Sequence, residues 1–290
     1  MIADLVNQIG REYVDTITLI KGELDPHSYQ LVKGDDEKLR FAQLIFYNGL
    51  TLEHGPSLRE YLQKSPTSVG LGDRIKMDHP ELILDYNGQL DPHIWMDISL
   101  WAKTIPYIVE GLIAIQPEHA QYFKANGEAL LNEMLDVHKK MIASMHEIPE
   151  NKRYLVTSHD AFNYFARAYL RAENEHDKID WQKRFAAPEG LSPDSQLSTT
   201  DIQFIINYMK THDIQVLFPE SNVSQDSIRK ILSAGNEYGL HLIIATPFLY
   251  ADAMGEPGSS GDTYLKMIQH DVKLIKLHLN DNQPTIVNGK

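Results

Sequence analysis

The sequence predicts an α/β protein of two lobes, each built mainly on parallel sheet, with one long helix between them. Three observations carry this expectation. A chain of 290 residues is long enough for about two domains. Apolar and β-branched runs of strand length alternate with helical patterns in both halves, the mark of βα units and parallel sheet. Between the halves, residues 117–148 read as a single helix, with Phe123, Leu130, Met134, Val137, Met141 and Met145 at helical spacing, Pro117 at its start and Pro149 beyond its end. At 1.5 Å per residue such a helix is roughly 45 Å long, more than the width of one domain. The expected organisation is an N-terminal α/β lobe over residues 1–115, a connecting helix over 116–149 and a C-terminal α/β lobe over 150–290.

In the first lobe, residues 3–10 read as a helix ended by Gly10, and 16–20 as a β-branched strand leading into Gly22. Residues 35–41 are helical, 44–47 form a buried strand stopped by Asn48-Gly49, and 56–63 form a helix opened by Pro56. Residues 68–71 and 82–84 read as short strands, and 98–115 as a helix ahead of the connecting one. In the second lobe the strands are 154–157, 215–218 and 240–245, and the helices 160–170, 200–211 and 225–238. A loop spans 188–193. An irregular Gly-rich loop over 250–261 precedes a closing helix from Thr263 to about Leu279.

Composition limits the function. Lys and Arg total 27 against 40 Asp and Glu, a formal net charge of −13, which argues against nucleic acid or an anionic membrane as partner and suits one that is cationic or small. There is no cysteine, so disulfides, Fe–S clusters, thiolate zinc sites and a catalytic thiol are excluded, and any metal must be held by imidazole and oxygen. The start Met1-Ile-Ala-Asp-Leu5 lacks a basic segment followed by an apolar one, and no apolar run of membrane-spanning length is expected. The chain is expected to be cytosolic or to have lost an export segment. His-Glu-x-x-His, Gly-x-Ser-x-Gly and Gly-x-Gly-x-x-Gly are all absent.

Histidine carries the chemistry. Asp-Pro-His occurs twice, ending in His27 and in His93 within Leu90-Asp-Pro-His-Ile-Trp-Met-Asp97, and His159 follows the strand-like run 154–158. Each follows an apolar segment or a Pro-fixed turn, where open α/β sheets place ligand-contacting groups. A lone histidine is more often a surface or satisfied core residue; the repeated tripeptide is what marks these three as parts of one metal site. Three imidazoles around a divalent cation call for a carboxylate to balance charge. Asp252, Asp262, Glu220 and Asp160 are all placed to supply it, and composition does not choose among them.

Four motifs in order, the repeated Asp-Pro-His, Thr157-Ser-His-Asp-Ala-Phe162, Phe218-Pro-Glu-Ser221 and Leu249-Tyr-Ala-Asp252, resemble the solute-binding receptors of ABC importers for zinc, manganese and iron, most of all their chlamydial and treponemal branch. The resemblance runs over nearly the whole chain. It implies His27, His93, His159 and Asp252 as metal ligands, two from each lobe, with the metal in the cleft between two α/β lobes joined by a rigid helix. It implies one divalent transition metal ion (Zn, Mn or Fe) as cargo, no catalysis, and an ABC permease in the membrane as partner. It further implies a monomer, periplasmic or at the cell surface, that binds neither nucleic acid nor nucleotide. Receptors with glutamate in place of His159 take manganese in this family. Asp262 then falls to the N-cap of the last helix, and Glu220 to a structural acceptor for a ligand imidazole.

Two departures qualify the resemblance. The chain starts in the helix that such receptors reach only after an export signal and a first strand, so a first strand is expected to be lacking. Residues 72–89 hold only His79, where zinc-dedicated members often carry a His-rich acidic loop. The competing functions are a zinc metallohydrolase, which would keep an open coordination position and a nearby general base, and a surface adhesin. Of the remaining histidines, His54 reads as the start of a helix, His119, His138 and His146 on the connecting helix read as solvated, and His176, His212, His241, His270 and His278 lack motif context. Trp95 and Trp101 read as packing beneath the second Asp-Pro-His loop.

Overall fold

The chain, seen in a computed structural model, divides into two units, Met1–Lys139 with Asp252–Met267 and Lys140–Ala251 with Ile268–Lys290. Residues 1–22, 24–175, 180–193 and 197–280 are described; His176 lies outside them.

The first unit opens with α1 (Ile2–Gly10), whose Leu5, Val6 and Ile9 are buried. The expected strand over 16–20 does not form. Ile17 is 63% exposed, and β-branched residues favour a strand only where a neighbouring surface packs against them. After α2 (Asp35–Phe41), β1 (Ile45–Tyr47) pairs in parallel with β2 (Ser68–Gly70), the crossover being α3 (Pro56–Lys64). Helix α4 (Leu71–Asp78) follows β2 directly and buries Leu71 and Ile75; Gly70-Leu-Gly72 punctuates the sequence like a turn and conceals it. Residues 82–84 are not a strand: Leu82 ends a 3-10 turn, Pro80–Leu82, and Ile83 and Leu84 follow it. They lead into the hairpin β3 (Asp85–Tyr86) and β4 (Gln89–Leu90), whose turn residues Asn87 and Gly88 have φ of 58° and 91°. That is the Asn-Gly hairpin signal, present in the sequence at loop scale.

Helices α5 (Ile98–Trp101) and α6 (Ile105–Ile115) are joined by a 3-10 turn. Residues 98–115 are long and apolar enough to cross a membrane, with mean hydropathy 1.4, which corrects the expectation that no such run exists. Ile98, Leu100, Trp101, Ile105, Ile108 and Leu112 are all buried, and a core helix has the same composition. Helix α7 (Ala120–His146), 27 residues and roughly 40 Å long, carries the chain from Lys139 of the first unit to Lys140 of the second. Phe123, Leu130, Met134, Val137 and Met145 form its buried stripe.

In the second unit β5 (Leu155–Val156) is followed by one turn of helix, α8 (Asn163–Phe165), which runs into a π-helical turn over Ala166–Leu170. β6 (Phe185–Ala186) pairs in parallel with β5; two residues are too few to show as a pattern in sequence. Helix α9 (Thr199–Thr211) starts from a capping box formed by Ser198 and Asp201, a device contributing about 1 kcal/mol. β7 (Val216–Leu217) pairs in parallel with β8 (Ile243–Ile244) across α10 (Asp226–Glu237). A bridge between Thr157 and Phe218 and the bond from Phe218 N–H to Val156 O (2.9 Å) join β5 to β7. Val156, Leu217, Ile205, Met209, Ile228 and Ile231 make the core beneath. The last helix, α11 (Tyr264–Asn280), is capped by Asp4 of α1, which accepts the Tyr264 N–H at 2.8 Å. Asp262, expected there, instead accepts the Gly258 N–H and pairs with Lys266.

Candidate metal centre

The repeated tripeptide is a structural device. In each copy the aspartate accepts the backbone N–H of the histidine two residues on: Asp25 from His27 at 2.8 Å, Asp91 from His93 at 2.9 Å. The proline between them fixes one φ of this Asx turn, so each imidazole leaves the backbone in a set direction. Asp91 has a second task. The same oxygen lies 2.8 Å from His93 Nδ1, and since a carboxylate only accepts, Nδ1 carries the proton and Nε2 keeps its lone pair for a metal.

That lone pair is well placed. His93 Nε2 is 3.3 Å from His27 Nε2 and 3.6 Å from an oxygen of Asp252, whose other oxygen is 3.6 Å from His27 Nε2. Donors bound at 2.0–2.1 Å to one tetrahedral ion stand about 3.4 Å apart. The three side chains thus already stand at the separations a single cation imposes. All are buried, His93 completely. Burial lowers the pKa of His93, against the upward pull of Asp91 and Asp252. The imidazole is therefore neutral at pH 7, the form that coordinates.

A frame of small contacts holds this geometry. The Asn48 side chain donates to Pro92 O at 3.0 Å, fixing the peptide that carries His93. Asn48 and Gly49 give their own N–H groups to the two oxygens of Glu53, at 2.7 and 3.0 Å; desolvation pushes this carboxyl up to about 7 against those bonds. His27 O accepts the N–H groups of His54 (3.2 Å) and Gly55 (3.1 Å). A Cβ on Gly55 would stand 1.9 Å from Tyr29 O, so only glycine allows the two loops to lie this close. Asn48→Ala should cost roughly tenfold in metal affinity, within the range for partners that orient a ligand, with the circular dichroism spectrum unchanged; zinc titration measures it.

In the second unit His159 follows β5 and Glu220 follows β7. His159 Nδ1 is 3.0 Å from one Glu220 oxygen, and the other accepts the Ser158 N–H at 3.0 Å. Both side chains are fully buried. Glu220 orients His159 as Asp91 orients His93. Asp271 of α11, also fully buried, accepts the Tyr250 N–H at 3.0 Å two residues before Asp252. Burial holds its carboxyl well above the usual range, opposed by that N–H and reinforced by the charge of Glu220.

Of the four carboxylates nominated from sequence, Asp252 stands beside His27 and His93, Glu220 holds His159, Asp160 accepts from Asn163 at 2.9 Å, and Asp262 serves the Gly-rich loop. Asp25, Asp91, Asn48 and Glu53 orient the site, and of these only the aspartate two residues before each histidine carries a signal in the sequence. His138 is half-buried with Nδ1 3.7 Å from Asp97, the N-cap of α5, not solvated as expected. His119 stacks on Tyr13 at 3.8 Å, and His146 is exposed. Trp95 packs edge-on to the His93 ring at 5.3 Å, and its carbonyl accepts the Tyr264 hydroxyl at 2.7 Å.

Comparison with known proteins agrees with this chemistry. Residues 1–277 match the family model of ZnuA, the periplasmic component A of the zinc-uptake complex. The metal-binding protein YtgA of Chlamydia pneumoniae is 43% identical over 277 residues, covering 95% of this chain and 82% of that protein. The manganese-binding lipoprotein MntA of Bacillus subtilis is 32% identical over 278 residues, covering 94% and 85%. The crystal structure of Fe(III)-bound YtgA from Chlamydia trachomatis superposes with a TM-score of 0.90 at 38% identity, over 96% of this chain and 94% of that one. With this match along nearly its whole length, and a His-His-Asp cluster built on a twice-used Asp-Pro-His turn, the chain belongs to the family of metal-binding receptors of ABC importers, in the branch of YtgA and TroA.

Proposed function

We propose that this protein captures one divalent transition metal ion outside the cytoplasm through His27, His93, His159 and Asp252 and delivers it, as a monomer, to a membrane permease. The observation that carries the reading is the spacing of His27, His93 and Asp252, 3.3 to 3.6 Å between donors that are all buried. Such a set is costly to assemble without a cation to neutralise the carboxylate and occupy the lone pairs. His159, oriented by Glu220, supplies the fourth donor in this reading, supported by its place in the family's third motif. Four protein donors close a metal off from water, which suits capture; turnover by a metallohydrolase needs an open position. The cargo is zinc, manganese or iron, the metals of the relatives.

Metal-free protein should bind one equivalent of zinc in isothermal titration, with manganese displaced by zinc as the order of divalent affinities requires. Binding of two equivalents, or none, contradicts the reading. Protons compete with the ion for imidazole, and because burial lowers the His93 pKa from the ordinary histidine value of about 6.5, affinity should hold through neutral pH and fall only below that value. Replacing His159 with a harder donor should shift preference: His159→Glu is expected to lower the zinc-to-manganese affinity ratio by about tenfold. Titration of both metals into wild type and variant in one buffer measures it, and an unchanged ratio removes His159 from the ligand set.

A further inference from the structure

We infer that His54 is a staging ligand, binding the incoming cation transiently at the edge of the site and passing it to His27; the inference rests on reading His27 and His93 as metal ligands. The His54 ring lies 5.7 Å from the His27 ring at an interplanar angle of 54°, close to the 5.3 Å and 48° between His27 and His93. His27 thus has an imidazole neighbour in both His54 and His93. Burial differs among the three: His93 is completely buried, His27 is 2% exposed, and His54 is half-buried. His54 is the member that meets water.

Its position is imposed by backbone. The N–H groups of His54 and Gly55 both donate to His27 O, and the contact of Gly55 with Tyr29 O leaves no room for the loops to part by side-chain bulk. The ring adds little to the fold: His54 Nδ1 lies a long 3.4 Å from Thr51 O. Glu53-His54-Gly55 resembles no metal-binding pattern, so the role is set by the crossing of the two loops.

The chemistry gives such a residue a purpose. A hydrated cation must exchange water for protein donors, and doing so in one step at a fully buried pair leaves it stripped of solvent before coordination is complete, which is costly. A half-buried imidazole lets the exchange run donor by donor. Because it does not hold the ion in the final complex, it lowers the barrier equally in both directions. Its removal should slow association and dissociation together and leave their ratio alone.

The test compares wild type with His54→Gln and His54→Asn, using zinc alone in stopped-flow association and chelator-driven dissociation, with Kd measured separately by equilibrium competition. Association and dissociation rate constants are each expected to fall about fivefold, a barrier change of about 1 kcal/mol, with Kd within about twofold of wild type and circular dichroism unchanged. Unchanged rate constants in both variants overturn the proposal. So does a higher Kd produced by faster dissociation alone, which would make His54 a ligand or support of the bound state. Loss of fold in both variants overturns it as well, by showing the ring to be structural. Absence of zinc binding by wild type at equilibrium would instead defeat the functional reading beneath it, an outcome the Kd measurement separates from the others.

Discussion

His93→Ala is expected to weaken metal binding by at least about a hundredfold, beyond the 10- to 100-fold typical of partners that merely orient a ligand, while circular dichroism keeps its helical signal. The substitution removes a donor 3.3 Å from His27 Nε2 and 3.6 Å from Asp252. It also strands Asp91, which gives its carboxylate oxygen to the His93 ring as well as to its backbone. The remaining donors are left with an excess of charge in a buried setting and one lone pair too few. His146→Ala is the control: this imidazole on α7 is exposed, and neither affinity nor fold should change. Zinc titration of the three proteins measures the difference. Equal affinity in His93→Ala and wild type would mean that the cation is held elsewhere.

Arg184→Met is expected to destabilise the protein by about 2–3 kcal/mol, less than the roughly 3–5 kcal/mol of a buried charge left wholly without a partner, because Lys183 and the Ala172 N–H still meet Glu175. Arg184 meets Glu175 through two parallel bonds, Nε at 2.5 Å and one terminal nitrogen at 2.8 Å, and its other terminal nitrogen donates to Glu150 O at 2.9 Å. The two side chains are 2% and 5% exposed. Burial alone would raise the Glu175 pKa, but the bonds from Arg184, Lys183 and the Ala172 N–H outweigh it and hold the carboxyl at about 2. A pKa depressed on folding adds stability that is present above the unfolded value, about 4.3 for glutamate, and is lost as pH falls from there towards 2. Wild type should therefore lose stability over that window, and Arg184→Met should lose less. Urea melts from pH 7 to pH 3 give both numbers, and parallel pH profiles would show that the pair contributes nothing.

The sequence was most informative where local chemistry repeats or where periodicity is long. The 27 residues of α7 show as a stripe of apolar positions, and the Asp-Pro-His turns show because the same three residues solve the same local problem twice. Asp252 was reached through its Leu-Tyr-Ala-Asp motif; residue type alone left it level with Asp262, Glu220 and Asp160. What escaped was set by neighbours distant in sequence. The run 16–20 has the residues of a strand but leaves Ile17 63% exposed. The cap of α11 comes from Asp4, 260 residues away, where local spacing pointed to Asp262. Asn48 reaches Pro92 across 44 residues, and His54 lies beside His27 only because two loops cross at a glycine. Strands of two residues, such as β6, carry too little pattern to stand out.

The most direct test of the central claim is X-ray absorption at the zinc edge on protein loaded with one equivalent of zinc, compared with His159→Ala. The account predicts three imidazole nitrogens and a carboxylate oxygen at about 2.0–2.2 Å in wild type, and two imidazoles in the variant. A wild-type site with one imidazole or none, or a spectrum that His159→Ala leaves unchanged, would contradict it.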